Sequence, residues 1–229
     1  EPRVRRRGRS GNPASGAGFN QRFTRRRWMF RILAITFALI IAMLLAEITL
    51  RLFVPDTRSP YIYDEFTGTR LEPGHRFVFQ SEGYSSNVIN SQGLRDREHA
   101  LQKPAGTFRV AILGDSFSEA FQVAQEDTFW SVLERELQST PEFTNRSVEV
   151  INFGVSGFGT IQEWQMLEHY VGDYAPDLVL LAFLPGNDVR NNSRKLETDH
   201  RRPFAELIDG KLQLDLSFRD DPNEKRFRE

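Results

Sequence analysis

The chain has 229 residues, 39% of them hydrophobic, and the absence of cysteine excludes disulfide bonds and thiolate metal sites. Its formal net charge is −1 at pH 7, but residues 1–31 hold ten arginines and one acid, so the rest of the chain carries about ten more acids than bases. This length allows one globular domain with appendages, and the acidic body argues against a nucleic-acid-binding domain.

The first elements in chain order are a basic tail and an apolar helix. We predict a disordered tail at residues 1–31, because its first 27 residues are rich in Arg, Gly, Ser and Asn and nearly lack apolar side chains. A membrane-spanning helix is predicted at residues 32–53. The 19 residues from Ile32 to Leu50 are apolar except for two threonines and Glu47, which lies near one end, where its carboxylate reaches the interface.

Two other interpretations of the apolar segment fit less well. A cleaved signal peptide needs small residues at its cleavage site, whereas Leu44-Leu45-Ala46 offers a bulky one, and a buried core helix would show a polar stripe. We therefore expect an uncleaved anchor. Four arginines between residues 25 and 31 flank Trp28, and the positive-inside rule then places the N terminus in the cytoplasm and everything after Arg51 outside it. The basic tail would meet anionic lipid.

Residues 54–107 are predicted to be an extended lead-in region to the domain that follows. Glycine turns separate short aromatic or β-branched segments, which we predict as strands at Tyr61–Tyr63, Phe77–Phe79 and Asn87–Ile89. Asp96 and His99 have a spacing that suits the acid and imidazole serving a catalytic serine. They lie in a strongly charged run before the first core strand, so we interpret this run as a solvated connector.

Residues 108–229 are predicted to form the main domain, in which strands and helices alternate. This alternation predicts right-handed crossovers and a three-layer α/β/α sandwich with a parallel sheet. The third strand is apolar on both faces and is expected to be a buried central strand. The predicted elements are strand Arg109–Leu113, helix Asp127–Leu137, strand Ser147–Phe153, helix Thr160–Tyr174, strand Leu178–Leu184, and a hairpin of Phe204–Ile208 with Leu212–Phe218.

Small or polar residues follow each of the three core strands. They are Gly114-Asp115-Ser116, Gly154 to Gly157, and Gly186-Asn187-Asp188. Because parallel strands bring their carboxyl ends to one edge of a sheet, we expect these turns to converge. The arrangement predicts acyl transfer, in which Ser116 attacks a carbonyl. The backbone N–H groups of Gly154 and Ser116 and the amide of Asn187 would stabilise the oxyanion that develops.

These three blocks resemble the SGNH (GDSL-type) hydrolase family over residues 108–190. The matching residues are Gly114 to Ser118, Gly154 within Asn152 to Gly157, and Gly186 to Asp188. The resemblance implies a flavodoxin-like α/β/α sandwich, with Ser116 as nucleophile and Gly154 and Asn187 as oxyanion donors. It implies acyl esters of sugars, lipids or small molecules as substrates, with no cofactor and no metal. Since membrane-anchored bacterial proteins share this layout, it implies a periplasmic domain anchored in the inner membrane.

The chain departs from the family pattern in its general base. The family carries a late Asp-x-x-His block, whereas the last histidine here is His200, which Asp199 directly precedes, and we predict a loop for this pair. His75 lies in a predicted turn and His169 in a predicted helix, and neither is placed to serve Ser116. We therefore expect an incomplete domain, with its base beyond the end of this sequence and little activity of its own.

Four functions remain open on the sequence alone, and a membrane-anchored serine esterase is the first. An O-acyltransferase acting on a cell-surface polysaccharide would form the same acyl-enzyme and differ only in the acceptor. A non-catalytic binding module would keep the fold without the chemistry. A nucleotide-binding sandwich would need a glycine fingerprint, but the order of Gly154, Gly157 and Gly159 reverses the dinucleotide pattern.

Overall fold

The structure, a computed structural model, describes residues 17–53 and 58–221. The chain divides into two separate units, Glu1–Pro55 and Asp56–Glu229. The described part of the first unit is one helix, α1 (Ala17–Phe53). The second unit contains a parallel three-stranded sheet, short helices and antiparallel strand pairs. The chain is therefore a mixed α/β protein with an apolar N-terminal helix, as the sequence predicts.

Helix α1 begins earlier than the sequence predicts. Residues 17–31 are helical, so the prediction of a disordered tail is wrong for this part, while residues 1–16 lie outside the described residues. Arginine is a good helix former, and extending an existing helix costs far less than starting one, which explains the longer helix. By length and composition, the segment Arg26–Leu50 can cross a membrane, with a mean hydropathy of 2.5. The Arg31 guanidinium lies 5.8 Å from the centre of the Trp28 ring.

The lead-in region forms two antiparallel strand pairs, which confirms the predicted short strands. The pairs are β1 (Tyr61–Asp64) with β2 (Gly68–Leu71), and β3 (Arg76–Phe79) with β4 (Ser85–Val88). Strand β2 was not predicted, because its four residues show neither alternation nor a β-branched run. The Phe77 ring meets the Phe121 ring edge to face, with centroids 4.8 Å apart, and Leu71 and Ile89 are buried in the same cluster. The lead-in region therefore packs against the segment that follows Ser116.

The central sheet contains the three predicted parallel strands. They are β5 (Thr107–Gly114), β6 (Ser147–Asn152) and β7 (Leu178–Ala182), in the order β6-β5-β7. The chain runs from β5 to its neighbour β6 on one edge of the sheet and then crosses over to β7 on the opposite edge. In open α/β sheets, ligands bind beyond the carboxyl ends of the strands where such a reversal occurs. For the order β6-β5-β7 this rule predicts a ligand crevice between the ends of β5 and β7.

Four α-helices follow the strands, at α2 (Ser116–Glu119), α3 (Phe129–Ser139), α4 (Thr160–His169) and α5 (Asp188–Asn191). Side chains of α3, including the fully buried Trp130, pack with Val110 and Ile112 of β5. Side chains of α4, including Met166, pack with Ala111 and Leu113, which point to the opposite side of the strand. Both faces of β5 are thus covered, and its side chains are nearly all buried.

The expectation of a buried central position for the third strand is wrong. Strand β7 lies at the edge of the sheet, and Leu178, Leu180 and Leu181 are 43%, 37% and 47% exposed. Among residues 58–221, no strand pairs with its outer edge. Apolar residues at every position indicate a strand that can be buried on both faces, but they do not say whether a neighbour pairs with it. The central position belongs to β5, which was predicted only as the first strand.

The buried face of α4 is largely polar. Gln162, Glu163 and Gln165 are buried together with Met166, whereas Trp164 is 37% exposed. Gln162 can be buried because both polar atoms of its side chain have backbone partners. Its Oε1 accepts the Gly159 N–H, and its Nε2 donates to the Thr67 carbonyl. Polar residues that have buried partners do not follow the apolar pattern.

The predicted hairpin after residue 203 is confirmed. Strands β8 (Phe204–Ile208) and β9 (Lys211–Asp215) pair antiparallel around a two-residue turn. Asp209 and Gly210 both adopt positive φ there, at 51° and 73°, which is the conformation that such a turn requires.

Candidate active site

The candidate nucleophile lies in a sharp turn between β5 and α2. Asp115 caps α2, with its Oδ1 accepting the Phe117 N–H at 3.0 Å, and it is 1% exposed. Ser116 is the first residue of α2 and is partly exposed. Its Oγ makes no hydrogen bond to any residue in the described part of the chain. A Cβ on Gly114 would lie 2.2 Å from Ser118 Oγ, so this turn requires glycine.

The second loop contacts the same turn through Gly154. A Cβ on Gly154 would lie 2.4 Å from the Ser118 Cβ and 3.0 Å from the Glu119 nitrogen, so the loop backbone rests directly on α2. The Gly154 N–H, however, donates to Asn152 Oδ1 at 3.0 Å. The predicted oxyanion donor is therefore close to the Ser116 turn but is bonded within its own loop.

The third loop contacts the turn through a side chain. Asn187 precedes α5, and its Nδ2 donates to Asp115 Oδ2 at 2.8 Å. An amide group has two hydrogens, so one donor of Asn187 remains for another acceptor. The contact lies between the ends of β5 and β7, where the strand order predicts a ligand crevice. The structure thus brings Asn187 to Asp115, the residue next to Ser116.

Two buried acids, Glu163 and Asp188, lie near this contact, and neither was predicted from the sequence as a site residue. Glu163 is 1% exposed, and neither of its carboxyl oxygens has a hydrogen-bond partner among the described residues. Burial raises the pKa of Glu163 to about 8, and the charges of Asp188 and Asp115 add to this effect. Burial also raises the pKa of Asp188, whose Oδ2 accepts the Leu184 N–H at 2.7 Å. Both effects favour the protonated form of Glu163 near neutral pH.

The Asp96–His99 pair is buried, so its interpretation as a solvated connector is wrong. The two residues are 3% and 5% exposed, and His99 Nε2 lies 3.3 Å from Asp96 Oδ2. The same carboxyl oxygen accepts the Asn152 N–H at 2.9 Å, and Asn152 in turn holds Gly154. The run looks solvated because charged residues are usually exposed, but here Arg95 and its neighbours are satisfied by buried partners. Asp96 therefore helps to hold the second loop in place through Asn152.

The other three histidines also have contacts away from Ser116. His75 Nδ1 lies 2.6 Å from Glu72 Oε2, the His169 ring stacks on Phe66 at 3.7 Å, and His200 Nε2 lies 2.9 Å from the Glu197 carbonyl. The segment that holds Asp199 and His200 is a loop, as predicted. Within residues 17–53 and 58–221, no histidine is hydrogen-bonded to Ser116, and no cluster of three or more acidic or histidine side chains could hold a metal ion.

A cavity of about 710 Å³ lies beside the second loop. Tyr61 and Tyr63 of β1, Ser156 of the loop, Gln162 of α4 and Arg202 line it. Ser116 and Asn187 do not line this cavity. The wall of the cavity nevertheless contacts the Ser116 turn, because the Tyr61 and Ser156 hydroxyls both donate hydrogen bonds to Glu119, the last residue of α2.

No protein-family model matches the chain, and no curated protein matches it. The resemblance to the SGNH hydrolases therefore depends on the three short blocks and on the positions that the fold gives to Ser116, Gly154 and Asn187.

Proposed function

We propose that the chain is a membrane-anchored serine hydrolase that acts on acyl esters, with Ser116 as its nucleophile. The observation that carries this proposal is the 2.8 Å hydrogen bond from Asn187 Nδ2 to Asp115 Oδ2. It holds a carboxamide next to a partly exposed serine at the carboxyl end of a parallel sheet. The close approach of Gly154 to α2 supports a second donor on the same side.

The reaction follows from these groups. Ser116 Oγ forms a bond to the carbonyl carbon of the ester while its proton passes to a base. The carbonyl oxygen becomes an oxyanion that accepts the second amide hydrogen of Asn187, the Ser116 N–H and, once it leaves Asn152, the Gly154 N–H. Collapse of this intermediate breaks the ester C–O bond, and the departing alcohol takes up the proton from the base, which leaves an acyl group on Ser116. Water then adds to the acyl carbonyl and releases the carboxylic acid and the free serine. No described histidine contacts Ser116, so we expect both steps to be slow. An ester with a good leaving group should still acylate Ser116 faster than water removes the acyl group.

The family assignment and the full α/β/α sandwich are part of this proposal. The strand order β6-β5-β7 and the helices packed on the two sides of β5 support a flavodoxin-like arrangement. The three motif blocks support the SGNH family.

Acylation of Ser116 by p-nitrophenyl acetate tests the proposal in the full chain. We expect intact-mass and peptide mass spectrometry to find one acetyl group on Ser116. Ser116→Ala should abolish this labelling, because it removes the attacking oxygen. Ser86→Ala changes an exposed serine of β4 and should leave the labelling unchanged. Labelling that is spread evenly over exposed serines, or that persists in Ser116→Ala, would contradict the proposal.

The proposed membrane topology gives a second prediction. We infer that α1 crosses a bacterial inner membrane with the basic N terminus inside and the body in the periplasm, because arginine flanks favour the cytoplasmic side. Protease added to intact spheroplasts should digest the body and spare an N-terminal epitope tag. A body that resists protease until the membrane is broken would show the opposite topology.

A further inference from the structure

Glu119, the last residue of α2, makes a set of hydrogen bonds that the proposed chemistry does not use. Its side chain is buried, with 1% of the residue exposed. The Tyr61 hydroxyl lies 3.0 Å from Oε1 and 2.9 Å from Oε2. The Ser156 N–H donates to Oε1 at 3.1 Å, and the Ser156 hydroxyl donates to Oε2. One carboxylate thus joins three separate segments of the chain.

Two of these segments carry the proposed reacting groups. Glu119 and Ser116 are the two ends of a single helical turn, α2. Ser156 lies two residues after Gly154, in the loop whose backbone rests on that turn. Because the Glu119–Ser156 bonds cross between the turn and the loop, they fix the separation between the nucleophile and the Gly154 N–H. The third segment, β1, supplies Tyr61 and closes the carboxylate off from water.

The backbone of the same residue is also held. Arg95 is 1% exposed, and its Nη1 donates to the Glu119 carbonyl at 2.9 Å, while its Nε donates to Asn87 Oδ1 at 2.7 Å. The lead-in region therefore also contacts the end of α2 through the Arg95 side chain. Neither contact reaches Ser116 directly, so any influence on the reaction passes through the position of the turn.

We propose that Glu119 is a positioning residue, which holds the Ser116 turn against the Gly154 loop at the spacing that acyl transfer requires. The inference rests on the proposed function for its catalytic consequence but not for its structural one. A buried carboxyl group is costly unless several hydrogen bonds satisfy it. In this position it joins the two loops, whereas an apolar side chain would fill the space without fixing their distance.

The charge state of Glu119 supplies a readout that is independent of catalysis. Burial raises the pKa of the Glu119 carboxyl to about 7, although the bonds from Ser156 and Tyr61 and the charge of Arg95 act the other way. The pKa of this carboxyl is higher in the folded state than its ordinary value of 4.5. The protonated group therefore contributes its full stabilisation of the folded state below pH 4.5, and this contribution is lost as pH rises through about 7. Glu119→Gln should therefore weaken the loss of thermal stability between about pH 5 and about pH 8.

The test compares two substitutions of Glu119 in the full chain in detergent. Glu119→Ala removes the link, and we expect acetylation of Ser116 to slow on the order of 10²-fold, with the ester concentration for half-saturation unchanged. We expect Ser156 amide exchange to speed up by about tenfold or more. Glu119→Gln keeps acceptors for Tyr61 and the Ser156 N–H, so it should retain both properties. Glu126→Gln, at an exposed acid nearby, is the matched control.

Each outcome bears on the inference. A folded Glu119→Ala chain that keeps wild-type acetylation, or wild-type exchange at Ser156, overturns the positioning role. If the wild-type chain is not acetylated at all, the proposed function fails, and the exchange measurement alone decides the role of Glu119. If Glu119→Ala does not fold, Tyr61→Phe replaces it, because it removes one donor to the carboxylate. Unchanged acetylation and exchange in that variant would also overturn the inference.

Discussion

Replacing Gly154 with alanine is expected to destabilise the body by about 2–3 kcal/mol and to displace the turn that carries Ser116. The new methyl group would lie 2.4 Å from the Ser118 Cβ and 3.0 Å from the Glu119 nitrogen. Both atoms belong to the buried part of α2, which cannot yield as a flexible side chain would. The loop or the helix must therefore move, and acetylation of Ser116 should fall together with stability.

Thermal unfolding of the two glycine variants measures this effect. Gly172→Ala is the matched control, because a Cβ there meets no atom of the described residues within 4 Å. We expect the melting temperature of Gly172→Ala to stay near that of the wild type and that of Gly154→Ala to fall clearly below it. A Gly154→Ala chain as stable and as readily acetylated as the control would show that the second loop does not rest on α2.

Replacing Asn187 with alanine is expected to slow acetylation of Ser116 by about 10²-fold, because it removes an oxyanion donor. The same change takes away the partner of a buried carboxylate oxygen, since Asn187 Nδ2 lies 2.8 Å from Asp115 Oδ2. Losing that hydrogen bond should lower stability by about 1–3 kcal/mol.

The two effects of Asn187→Ala can be separated. Asn187→Asp should be more harmful than alanine to both properties, because it places a second carboxylate against Asp115. Asn145→Ala alters an exposed asparagine and serves as the control. If Asn187→Ala lowered stability but left the acetylation rate of the folded fraction unchanged, Asn187 would hold the turn in place without stabilising the oxyanion.

The convergence of the three loops at the carboxyl edge of the sheet could be predicted from the sequence, because it depends only on local patterns. Each strand was an apolar run that ended in glycine or small polar residues, and parallel strands bring such ends together. The contact that joins the first and third blocks nevertheless uses Asp115 rather than Ser116 itself. A motif identifies which residues converge, but the hydrogen bonds among them depend on side-chain directions that only the fold sets.

The buried charged groups near the site could not be predicted in the same way. Asp96, His99, Glu119 and Glu163 are all 5% exposed or less, although charged side chains are usually solvated. The burial of Glu119 and Asp96 depends on partners far away in the chain: Tyr61 lies 58 residues before Glu119, and Asn152 lies 56 residues after Asp96. Composition and periodicity carry no information about pairs of this kind.

The edge position of β7 is a further case in which pattern and environment differ. Its residues Leu178 to Ala182 satisfy every rule for a central strand, yet within residues 58–221 the strand pairs only with β5. Burial of a strand depends on what lies beside it, and a run of apolar residues cannot specify its neighbour.

The structure of the chain after acetylation of Ser116 tests the central claim most directly. We predict that the acetyl carbonyl oxygen lies about 3 Å from both Asn187 Nδ2 and the Gly154 nitrogen, and that the Gly154 N–H has left Asn152 Oδ1. An acetyl oxygen that points away from both groups, or an acetyl group on another serine in place of Ser116, would contradict the proposed site.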